Sequence, residues 1–160
     1  MAGHPSDAQT FADDLSRRFP EDTLVVSNYL PTLGGLLALN HSKPERAIEL
    51  LQTAIPYEMG QSESGVGNLY PAYVRGEAYL AAHHGAEAAA EFQKIIDHRG
   101  IVVLDPEGVL AYLQLGRAQA LSGDKSKARN AYQEFLTVWK DADPDIPILK
   151  EAKAEYAKLQ

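Results

Sequence analysis

The stretch Tyr112–Phe135 reads YLQLGRAQALSGDKSKARNAYQEF. Leu115-Gly116 is followed by a turn signal around Gly123, and then by Ala128, Tyr132 and Phe135. The spacing predicts a helix, a tight turn and a second helix, with small residues where the two must approach. The arrangement recurs upstream. Gly116 aligns with Gly76 and Gly35, at spacings of 40 and 41 residues. Twelve positions after each glycine stands an alanine (Ala47, Ala88, Ala128). Four further on stands a large side chain (Leu51, Phe92, Tyr132), and three beyond that Ala54, Ile95 and Phe135. Steps of four and seven keep these groups on one helical face.

This pattern resembles the tetratricopeptide repeat. Leu115, Gly116, Gly123, Ala128 and Tyr132 match its motif in the third copy, Gly76, Tyr79, Ala88 and Phe92 in the second, and Gly35, Ala47, Leu51 and Ala54 in the first. The likeness covers roughly residues 5 to 139. Two features depart from the usual repeat. The period is near 40 rather than about 34, and Pro31, Ala72 and Tyr112 occupy the place of the early tryptophan. The resemblance implies an all-α fold: a right-handed superhelix of antiparallel helical hairpins closed by a C-terminal capping helix.

One domain over 1–160 is expected. Residues 5–19 read as a second helix without its first, ended by Pro20. Either they cap the array or the chain is the tail of a longer protein, and the latter reading is preferred. Hairpins are expected over 23–55, 69–98 and 106–139, with a capping helix over 146–160. Pro31 should kink the first of these helices. Asp22, Asn68 and Asp145 are the expected caps. HSKP and Gly85 are read as turns. The connector 56–68 is polar and glycine-rich, and the apolar run Ile101–Leu104 is expected to pack over hairpin edges.

Composition narrows the function. The net charge is −7, which argues against nucleic acid as a partner. There is no cysteine, so disulfides and thiolate metal sites are excluded. No apolar run approaches membrane-spanning length, about 18 residues, so direct membrane insertion is not expected. A cytoplasmic location is favoured, with the exported side of a membrane-anchored parent left open. Asp141, Asp143 and Asp145 alternate like a calcium loop but lack its glycine and glutamate. His83, His84 and His98 form no plausible metal site, and Gly65-Val-Gly67 follows no strand. No catalytic constellation is present. The reading is a non-enzyme with no cofactor and no metal.

What remains is a binding surface. In tetratricopeptide arrays the first helix of each hairpin lines a concave groove for an extended peptide or a partner helix. The resemblance assigns Tyr29, Thr32 and Leu36, then Tyr70, Tyr73 and Glu77, then Leu110, Leu113 and Arg117 to that groove. Glu77 and Arg117 are expected to pair with each other across it or with a ligand, the former being preferred. The basic clamp with which some members hold a terminal carboxylate is absent, so that ligand is not expected. A second likeness spans nearly the whole chain. FADDLSRRFPEDT, AYVRGEAYLAA, AAAEFQKIIDHRGIV, LQLGRAQALSGD and WKDADPDIPILKEAKAEYAKLQ resemble the C-terminal repeat region of bacterial, notably acidobacterial, serine/threonine protein kinases. It implies a recruiting module of a signalling kinase, without kinase activity. The leading expectation is a protein or peptide partner in the groove. The alternative is an oligomerisation module that forms a homodimer through its incomplete first repeat.

Overall fold

Glycine inside a helix is tolerated where a neighbour needs the space, and three glycines set the architecture here. The computed structural model describes residues 5–60, 69–102 and 105–159. Its helices are α1 (Pro5–Arg18), α2 (Leu30–Asn40), α3 (Pro44–Leu51), α4 (Tyr70–Ala81), α5 (Gly85–Asp97), α6 (Arg99–Val102), α7 (Glu107–Leu121), α8 (Lys125–Val138) and α9 (Pro147–Ala157). No strand occurs among the described residues. The pairs α2/α3, α4/α5 and α7/α8 are antiparallel hairpins stacked in chain order, α1 packs on α2, and α9 packs on α8.

Each hairpin closes at its glycine. A Cβ on Gly35 would lie 2.9 Å from Leu51, one on Gly76 2.6 Å from Phe92, and one on Gly116 2.8 Å from Tyr132. Ala47, Ala88 and Ala128 are fully buried in the same register. The repeat read from the sequence is therefore a packing repeat.

The turns repeat as well. Ser42, His83 and Gly123 all have positive φ (56°, 61° and 84°). In each turn the next amide reaches back five residues, as Lys43 to Ala38, His84 to Tyr79 and Asp124 to Gln119. This is the left-handed helix ending that glycine favours. In the second hairpin the left-handed residue is thus His83, not Gly85. Gly85 is small for another reason: a Cβ there would meet Ser122 Oγ at 2.5 Å.

Pro31 acts as expected, but as a widened turn. Residues Val25–Tyr29 form a π-helical turn directly before α2. Proline cannot donate to the ladder, and Thr32 Oγ1 instead donates to the Asn28 carbonyl at 2.6 Å. Asp22 caps this segment by accepting from the Val25 amide at 2.9 Å. Asp145 does not cap α9. Ile146 holds the cap position, and the Asp145 carboxylate accepts from Lys150 Nζ. The expected cap Asn68 lies outside the described residues.

The second helix of the hairpin expected over 23–55 ends at Leu51 and tightens into a 3₁₀ turn, Gln52–Ala54. Arg75 is the cause. Its Nη1 donates to the Leu51 carbonyl at 3.2 Å, and the Ile55 amide turns to Gln52 instead. Arg75 also holds Glu58 and Glu91, at 2.9 and 2.7 Å, and Lys94 bridges both carboxylates. Burial opposes the charge on Arg75, but Glu91 and Glu58 outweigh it and raise its pKa. Val102 is buried and Ile101 packs against the same core, while Val103 and Leu104 lie outside the described residues.

Candidate functional site: the face of the first helices

Helices α2, α4 and α7 present one stripe each, at steps of three, four and seven residues. From α2 the π turn and its sequel present Asn28, Tyr29, Thr32, Leu33 and Leu36. Together with Leu15 of α1 and Tyr70 of α4 they line a cavity of about 310 Å³. Four of the residues assigned from the sequence, Tyr29, Thr32, Leu36 and Tyr70, therefore meet in one place. Thr32 is buried in its wall. Tyr29 and Tyr70 are 39% and 37% exposed.

Tyr70 stacks parallel to Tyr73 with centroids 6.4 Å apart, and Tyr73 meets Phe92 edge-on at 5.7 Å. Tyr73 is buried and belongs to the central core. Gln114 Nε2 donates to its hydroxyl at 3.2 Å and to Glu77 Oε1 at 3.3 Å. Burial raises the pKa of Tyr73, with Glu77 adding to it. Burial likewise raises the pKa of Glu77, against the bonds from Tyr73 and Gln114 and the charge of Arg117.

The expected Glu77–Arg117 pair is not formed. Arg117 turns to α9 and grips Glu155 with Nε at 2.9 Å and Nη2 at 2.8 Å, with Glu151 at 3.4 Å. Tyr132 donates to Glu155 as well, at 2.8 Å. Burial pushes Glu155 up, but these bonds outweigh it and its pKa falls below the usual value. Leu113 is another correction. It is fully buried under α9, against Tyr132, Phe135, Leu149 and Ala152, so it faces no ligand. The capping helix occupies the side of α7 that the alignment had left open. Leu110 stays partly buried, packed against both neighbouring clusters.

Sequence reasoning missed Glu107, Gln114, Leu33, Asn28 and Leu15. Glu107 and Gln114 lie seven residues apart, on the stripe of Leu110 and Arg117, so a stricter use of the helical period would have found both. Leu15 comes from another element and had no local signal. Among the described residues no group of histidines and carboxylates could hold a metal ion. The aspartates 141, 143 and 145 are exposed, and Asp143 accepts from the Asp145 amide as a turn.

Stacked hairpins with one polar and aromatic inner face define the tetratricopeptide class of helical-repeat proteins. The Tetratricopeptide repeat family profile matches residues 73–146. Among known relatives, the chain is 34% identical to "Chaperone protein YscY" of Yersinia enterocolitica over 109 residues, which is 65% of this chain and 80% of that protein. The Yersinia pestis protein of the same name matches with the same identity and coverage. The chain belongs to the family of these chaperone proteins. No described helix is long and apolar enough to cross a membrane.

Proposed function

We propose that this chain is a non-catalytic binding scaffold that holds a segment of a partner protein against the face of α2, α4 and α7, as a chaperone does. The observation that carries this reading is the cavity between Leu15, Leu33, Leu36 and Tyr70. It is open, almost wholly apolar, and bordered by the partly exposed rings of Tyr29 and Tyr70. Such a site suits one apolar side chain of a bound segment. The relatives' name supports a protein as the occupant.

Leu36→Asp tests this. It places a charge in the cavity while Leu51 and Gly35 keep the hairpin closed. Capture of a cognate segment, selected by panning a peptide library on the wild-type chain, should fall at least about tenfold with unchanged helical circular dichroism. Undiminished capture refutes the site. Tyr73 and Arg117 are unsuitable probes, because both hold the fold together.

Self-association is the second reading, and a separate observation favours it. Phe11 of α1 is 71% exposed, and Leu24 and Val26 stand open on the following segment. An apolar face of that kind suits a second copy. The role as a signalling-kinase module rests on the likeness of the quoted segments alone.

A further inference from the structure

Glu107 opens α7 and is only 6% exposed, yet its Oε1 has no hydrogen-bond partner. A buried carboxylate is normally bonded on both oxygens or paired with a cation. Position explains why a charge is tolerated there: the first turn of a helix stabilises an anion. It does not explain the unused oxygen. Glu77, two turns along the facing helix, is the second carboxylate of this face and has only Gln114 and Tyr73 as partners. Among the described residues no ion pair joins either glutamate to a lysine or arginine. Arg117, whose charge acts on Glu77, is engaged by Glu155 and Glu151.

The chain itself offers no substitute. The connector segments 61–68 and 103–104 contain neither lysine nor arginine. The ring of Tyr70, which both carboxylates influence, stacks on that of Tyr73. Both charges are close enough to Tyr70 to add to the effect of burial in raising its pKa. Tyr70 also borders the apolar cavity. A partly open aromatic ring flanked by unpaired carboxylates is the complement of a planar cation.

We infer that this face takes an arginine or lysine side chain of the bound segment. Glu107 Oε1 and Glu77 accept from its N–H groups, its cationic head lies over Tyr70, and a neighbouring apolar residue of the same segment fills the cavity at Leu33 and Leu36. The inference rests on the binding reading above and adds the polarity of the partner to it: an amphipathic segment carrying a basic residue beside an apolar one, matching a chain of net charge −7.

The test uses an array of short blocked peptides, each with a large apolar anchor and a scanned position carrying Arg, Gln or Glu. The intact chain should bind the best Arg peptides about tenfold more tightly than their Gln versions, and the Glu versions more weakly still. Glu107→Gln alone should shrink the preference, and with Glu77→Gln it should vanish while anchor-dependent binding persists. Both variants are checked for unchanged helicity. Equal affinity for Arg, Gln and Glu, with binding still abolished by Leu36→Asp, overturns this inference and leaves the binding reading standing. Binding indifferent to Leu36→Asp overturns both.

Discussion

Gly116 shows how one absent atom shapes the molecule. Its Cα faces the ring of Tyr132, and an added Cβ would sit 2.8 and 2.9 Å from ring carbons. A ring wedged between two helices cannot give way as a flexible side-chain end can. The Tyr132 hydroxyl is moreover tied to Glu155, so moving the ring strains the contact with α9. Gly116→Leu should therefore cost at least about 2 kcal/mol by overpacking, read as a lowered midpoint in urea unfolding. An unchanged midpoint would contradict this packing role. Glu107 shows the converse at the same scale. There the surplus is an unbonded oxygen, and burial rather than steric fit sets its chemistry.

At the scale of elements, α9 decides what α7 can present. It lays Leu149 and Ala152 over Leu113 and draws Arg117 onto Glu155. That contact has a pH signature. Glu155 has a folded pKa below its ordinary value. Its stabilisation is therefore present above the unfolded value, near 4.5, and is lost as pH falls through the lower folded value. Trp139, the single tryptophan, packs in the same cluster as Leu149. Its emission should shift to the red in acid, below the ordinary glutamate value, as α9 loosens, and Glu155→Gln should move that transition to higher pH or abolish it. A shift identical in both chains would exclude Glu155 as its cause. A second device, the four-membered ion cluster of Arg75, Glu58, Glu91 and Lys94, pins the turn after α3 to α4 and α5. Arg75 and Glu58 are almost wholly buried, so each needs the other to offset its desolvation.

Across the whole molecule, the two ends differ. The α9 end is sealed, with Leu149 and Ala152 buried, whereas α1 leaves Phe11 open. If that open face joins two copies, light scattering should give a mass that rises with concentration toward twice 17.5 kDa, and Phe11→Ser should hold the chain at the lower value. A mass independent of concentration rejects the reading. The repeat itself was legible in the linear chain, because a glycine, an alanine and a bulky residue at fixed offsets report local contacts within one hairpin, such as Gly76 with Phe92. Tyr29, Leu36 and Tyr70, which the family resemblance assigned to one face, line one cavity, because equivalent positions of stacked hairpins fall side by side. The contacts of Arg117, Leu113, Tyr73 and Glu58 were not legible in the chain. The sequence by itself determined the helices, their turns and the 40-residue stacking period, since these follow from propensity and spacing along one strand of chain. Only the tertiary structure decided which charges are spent and which remain free. Arg117 could pair with Glu77 or with Glu155, both far in sequence, and the docking of α9 gave it to Glu155 and left Glu77 with the hydrogen bond of Gln114.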